Sequence, residues 1–136
     1  MNTNLVNTFL ILFLVILAEA LFAQKIEIVE SPIHPEGFIE YNLGRYKKGK
    51  KQQLLIAIKN DSQQPLQIKS LELSCDCLSS SALPPMALPP GAIFRLKITH
   101  KAKNTGAFQT FAILRSDALN YPELWLKISG EVIKKK

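Results

Sequence analysis

From Gln24 onward, apolar and polar residues alternate with a period of two. Leu54, Ile56 and Ile58 alternate with Leu55, Ala57 and Lys59, and Phe94, Leu96 and Ile98 alternate with Arg95, Lys97 and Thr99. Half-buried strands require this pattern, because successive side chains point to opposite faces. Leu124, Leu126, Ile128 and Val132 keep one phase around Gly130. Shorter strands are predicted at 26–29, 38–41, 66–73 and 108–114, about seven in all. Turn signals separate them: Ser31-Pro32, His34-Pro35, Asn60-Asp61-Ser62, Pro84-Pro85, Pro89-Pro90-Gly91, Asn104-Thr105-Gly106 and Tyr121-Pro122. No stretch has the spacing of an amphipathic helix. The expected fold is all-β, an immunoglobulin-like antiparallel β-sandwich of about seven strands.

One predicted strand changes phase. Leu66 and Ile68 are even, whereas Leu71 and Leu73 are odd. A bulge or break near Lys69-Ser70 is therefore needed to keep both pairs inside. The later phase places Cys75 and Cys77 on the face of Leu71 and Leu73, with Asp76 opposite, where the strand leaves the core.

Residues 9–18 form an unbroken apolar run, shorter than the ~20 residues that span a bilayer. It has the form of a signal-peptide core. Ala18-Glu19-Ala20 offers one cleavage motif and Ala23 before Gln24 another. The expected division is a signal peptide at 1–23, cleaved after Ala23, and a β-sandwich domain at 24–136. The first eight residues hold no Lys or Arg, so the alternative is an uncleaved anchor in the membrane. No Cys follows the run, so none is available for lipid attachment. The expected location is extracytoplasmic, periplasmic or secreted.

The chain has 136 residues, enough for one domain. Its 47% apolar and 21% charged residues exclude wholesale disorder. The net charge is +6, and because Glu19 is the one charged residue before Gln24, the remainder carries +7. Two cysteines cannot build a disulfide framework or an all-cysteine zinc site. No G-x-S-x-G, H-E-x-x-H, Gly-rich phosphate loop or EF-hand pattern occurs. No catalytic residue, resident metal or cofactor is assigned, and the protein is expected not to be an enzyme. Glu27 with Glu30, and Glu36 with Glu40, are expected on solvated faces.

The Cys75-Asp76-Cys77 segment is the sharpest chemical feature. Strand residues two apart lie ~6.6 Å apart at Cα, near the upper limit for a disulfide, so a bond between them needs a turn. Three readings stand: buried structural thiols, a labile disulfide with a redox role, or a Cu(I) site using both sulfurs. Asp76 adds a negative charge that disfavours a reactive thiolate. His34, in a Pro-flanked loop, and His100, beside Lys101, are expected at the surface. Lys47, Lys48, Lys50 and Lys51 form a basic loop, and Lys134, Lys135 and Lys136 end the chain. Such clusters either keep a loop solvated or attract polyanions. Trp125 shares a face with Lys127, where it either anchors a partner or packs under a loop.

Taken in order, the turn at 60–62, Ser74-Cys75-Asp76-Cys77, Pro90-Gly91, Asn104-Thr105-Gly106 and Gly130-Glu131-Val132 resemble a bacterial family, domain of unknown function 1573. The resemblance covers roughly residues 38–133. It implies an immunoglobulin-like sandwich related to the Hydin-like and major-sperm-protein-like domains, usually exported, with no established enzymatic activity. Asp76 stands where the family has Gly, and Leu78 where it has Thr. The expectation is an exported, non-catalytic binding or structural module of the cell envelope, with Cys75, Asp76, Cys77, Trp125, Lys47, Lys48, Lys50 and Lys51 as candidate binding residues. The expected partner is an envelope protein or an anionic envelope polymer. Export argues against nucleic acid, and membrane contact is expected only through an uncleaved N-terminal segment. A thiol-redox or Cu(I)-handling protein using Cys75 and Cys77 is the alternative.

Overall fold

A computed structural model describes residues 3–135, with the side chains of 17–22 excepted. Met1, Lys136 and the side chains of the Ala18-Glu19-Ala20 motif lie outside the described residues. Helix α1, Thr3–Phe22, extends the apolar run at both ends. Its large apolar side chains from Leu5 to Ile16 are all exposed, so it has no polar face to turn to water. Among the described residues no helix is long and apolar enough to cross a membrane.

Eight strands follow: β1 Ile26–Ile28, β2 Phe38–Lys47, β3 Lys51–Asn60, β4 Ile68–Leu73, β5 Leu78–Ser80, β6 Ile93–Lys101, β7 Gly106–Ser116 and β8 Glu123–Ile133. They form two four-stranded sheets, ordered β1-β3-β6-β5 and β2-β8-β7-β4. The fold is the expected immunoglobulin-like sandwich. It departs from the expectation twice. The additional strand is β5, Leu-Ser-Ser, which has one apolar residue, Leu78, and so displays no alternation. The pair β2 and β8 is parallel, not antiparallel. No hairpin joins these strands, and the rest of the domain supplies the long crossover that a parallel pair requires.

The even-numbered phase predicted for β3, β6 and β8 is the inward one. Ile56, Ile58, Leu96 and Ile98 of the first sheet face Leu114, Leu124, Leu126 and Ile128 of the second, all essentially without solvent contact. The expected bulge lies where the phase demands it, as a register shift between Ile68 and Ser70 in the pairing of β4 with β7. The turn signal at 60–62 has a clear physical basis. Buried Asn60 donates its amide to the carbonyls of Gln64, at 2.7 Å, and Leu88, at 2.9 Å, and accepts from the Ser62 hydroxyl. Glu27, Glu30, Glu36 and Glu40 are exposed, as expected for solvated faces.

Candidate functional site

The chain leaves the second sheet at Leu73 and enters the first at Leu78, and residues 74–77 make the crossing. Ser74 is still tied to β7, its N–H donating to the Phe111 carbonyl and its hydroxyl accepting from the Phe111 N–H, both at 2.9 Å. A turn follows, in which the Leu78 N–H reaches the Cys75 carbonyl at 3.4 Å. The turn draws the cysteine Cα atoms to 5.2 Å, inside disulfide range, and Cys75 and Cys77 are bonded. Neither sulfur is therefore a free thiol or a thiolate ligand, which sets aside the structural-thiol and Cu(I) readings for this state. Lys101 holds the far side of the turn, its N–H donating to the Cys77 carbonyl at 2.9 Å.

Asp76 projects to solvent and pairs with Lys103 at 3.0 Å. The hydrogen bond and charge of Lys103 hold its carboxyl below the ordinary aspartate value. So exposed a pair contributes little to stability, and its consequence is a fixed carboxylate at the turn.

His100 corrects an expectation. It is 4% exposed, not a surface residue, because it continues the inward phase of Leu96 and Ile98. Its ring stacks on Phe108 with centroids 4.1 Å apart and planes 9° from parallel, and its Nδ1 is hydrogen-bonded to the Tyr46 hydroxyl. Burial pushes its pKa below the ordinary histidine value, so the ring is neutral near pH 7. Gly130 makes the stack possible. A Cβ there would lie 2.7 Å from the Phe108 ring tip and 2.9 Å from the Gly44 carbonyl.

Between the 74–77 crossing and β7 lies a cavity of about 490 Å³, walled by Cys75, Cys77, His100, Phe108, Thr110 and Phe111 and bordered by Lys101 and Lys103. Thr110 is 7% exposed, and its hydroxyl has no hydrogen-bond partner among the described residues.

The Lys47, Lys48, Lys50 and Lys51 loop, fully exposed, lies at the same end of the sandwich. Gly49 N–H donates to the Ala102 carbonyl and Lys48 N–H to the Ile133 carbonyl, both at 3.0 Å, so the loop ties the ends of β6 and β8 together. Lys101, Lys103, Lys134 and Lys135 thereby join it in one basic pole. The acids at this pole are already engaged: Asp76 with Lys103, and Glu131 with Arg45 at 3.2 Å. No loop lysine has an acidic partner among the described residues. Lys136 lies outside them.

Trp125 lies on β8 beside Phe111 of β7. It sits half-buried on the outer face of the second sheet, 5.0 Å from Phe111 between ring centroids, with its indole N–H donated to Glu123 at 2.9 Å. Lys127 on the same face lies 3.9 Å over the Phe38 ring. His34 is exposed as expected and stacks on Phe38 at 4.3 Å. The structure thus joins the cysteine turn to the lysine loop and leaves Trp125 outside the pole. Thr110, Phe108, Tyr46 and Gly130 escaped the residue-by-residue reading, although strand phase alone puts Phe108 and Thr110 on the inward face with Ala112 and Leu114.

Solved structures show what this architecture is similar to. A protein of unknown function from Porphyromonas gingivalis superposes with a TM-score of 0.64 at 17% identity, over 82% of this chain and 48% of that one. The chain therefore spans about half the length of that relative. A PapD-like domain of human CEP192 gives 0.55 at 14% identity, covering 84% of this chain and 89% of that one. Vibrio cholerae VesB protease gives 0.58 at 15% identity, over 68% and 30%. At such identities the likeness concerns the fold alone. No curated protein matches the sequence. The family pattern does, from Phe38 at the start of β2 to Val132 near the end of β8, and the chain belongs to the proteins of unknown function designated DUF1573.

Proposed function

We propose that the protein is an exported, non-catalytic binding module of the cell envelope that engages an anionic partner through the basic pole around the Cys75–Cys77 turn. The observation that carries this reading is the convergence of residues 47–51, 101–103 and 134–135, distant in sequence, at one end of the sandwich, where Lys101 and Lys103 border the cavity. Lysines that only keep a surface soluble do so best when interspersed with acids. Here the loop lysines have none beside them, and their summed field attracts anions. Two features support export. Disulfides persist in oxidising compartments. A helix that exposes apolar side chains all round suits a leader and is a poor surface element in water. The placing of the disulfide on a cavity wall favours a second reading, thiol exchange with a bound partner.

Titration with dextran sulfate tests the first reading. Affinity should fall steeply between low and physiological salt, and should drop again when Lys47, Lys48, Lys50 and Lys51 are all replaced by Gln. Salt-independent binding, or none at low ionic strength, would overturn it. Intact mass of the extracytoplasmic protein tests export: a chain beginning at Gln24 is expected, and a cytoplasmic chain beginning at Met1 would contradict it.

A further inference from the structure

The second sheet has an unfilled place. The pairing of β4 with β7 stops at Leu73 opposite Ala112, yet β7 runs on to Gly106. Phe111 directs its N–H and C=O to Ser74, on the β4 side. Hydrogen-bonding direction alternates along a strand, so Gln109 and Ala107 direct theirs to that same side, away from β8. No segment among the described residues takes them up, because the chain has crossed to the other sheet through the disulfide turn. This bare edge borders the cavity walled by Phe108, Thr110 and Phe111. Native sheets normally cover or blunt an edge of this kind.

We propose that an extended acidic peptide segment of the partner fills this place, adding as a short strand beside residues 106–110 of β7. The inference rests on the basic-pole reading and names the partner of that site as a polypeptide. Alternating backbone donors and acceptors at strand spacing are what Ala107 and Gln109 lack. A peptide supplies them, and a sugar or phosphate polymer does not. The acidic character follows from the border, where Lys101 has no acidic partner among the described residues and Asp76, which also lines the opening, has its charge offset by Lys103. Side chains share a face with their cross-strand neighbours, so every second peptide residue points inward beside Phe108 and Thr110.

The test uses the full chain as purified from the producing cell, at low salt, with an acetylated and amidated hexapeptide alternating Glu and Thr. Amide hydrogen exchange of Ala107 and Gln109, fast in the free protein, should slow at least about tenfold on saturation. Two further peptides, N-methylated at alternate nitrogens in the two possible phases, should behave unequally. One edge of an added strand bonds to β7 and the other faces solvent, so one peptide should bind like the parent and the other at least about tenfold more weakly. Equal binding of the two, unprotected amides at saturation, or no peptide binding would overturn the proposal. Protection that grows with protein concentration and needs no peptide would also overturn it, assigning the place to a second copy of this chain. If the peptides fail while dextran sulfate binds, the strand site falls and the basic pole stands; if both fail, both readings fall.

Discussion

Replacing Gly130 by Ala separates two opposed effects whose sizes the structure fixes. Removing a strand glycine stabilises a fold by about 0.5–1 kcal/mol, because the unfolded chain has less freedom to lose. Against this, the added methyl carbon would lie 2.7 Å and 2.9 Å from two atoms of the Phe108 ring and 2.9 Å from the Gly44 carbonyl. The ring cannot simply swing aside, because it is stacked on His100 at 4.1 Å. The carbonyl belongs to the backbone of a bulge, at the register shift between Asn42 and Arg45. Overpacking of this kind costs about 1–3 kcal/mol, and three contacts under 3.0 Å, one of them to backbone, place it in the upper part of that range, so the net loss is about 1–2 kcal/mol. In a domain of this size that lowers Tm by roughly 4–10 °C. Thermal and urea denaturation of Gly130→Ala, with and without Phe108→Ala, measures it. The loss should shrink by at least about 0.5 kcal/mol in the Phe108→Ala background, because the two sites touch. An unchanged or raised Tm would show that the Phe108 and His100 stack is not held as described.

Two further expectations concern the same pole. Because burial depresses the His100 pKa, the unfolded state binds more protons than the native one once pH falls below the ordinary histidine value. Its contribution to stability is complete above the ordinary histidine value, about 6.5, and is lost progressively as pH falls below it. Urea denaturation across that range should show this fall in the natural protein and not in His100→Gln. The disulfide closes a loop of sequence separation 2. Chain entropy then assigns it only about 1.5 kcal/mol, so the Cys75→Ser/Cys77→Ser protein should stay folded, with unchanged far-ultraviolet dichroism and a modestly lower urea midpoint. Unfolding on reduction would make the bond a staple of the core.

The fold was largely legible because strand phase reports directly which face is buried. Leu66, Ile68, Leu71 and Leu73 even disclosed the bulge between them, since no single register keeps all four inside. β5 was not legible, having a single apolar residue, Leu78, and neither was the direction of β2 beside β8, which depends on contacts between opposite ends of the chain. His100 was readable in principle. It carries the phase of Leu96 and Ile98, but its neighbour Lys101 suggested solvent, and the stack on Phe108 that makes burial tolerable is a tertiary fact. The cysteine pair was seen as chemistry without its setting. Two strand residues are too far apart to bond comfortably, and only the turn that carries the chain from sheet to sheet brings them to 5.2 Å. The union of the cysteine turn, the lysine loop and Thr110 in one pole follows from three-dimensional packing that no local window contains.

In the proposed function, the basic pole is the place where the protein meets its partner. Amide chemical-shift mapping during titration with dextran sulfate tests this most directly. The predicted shifts cluster in residues 47–51, 74–77 and 101–104 and fade as salt is raised. Shifts centred instead on Trp125, Phe38 and Lys127, on the outer face of the second sheet, or shifts indifferent to salt, would contradict it.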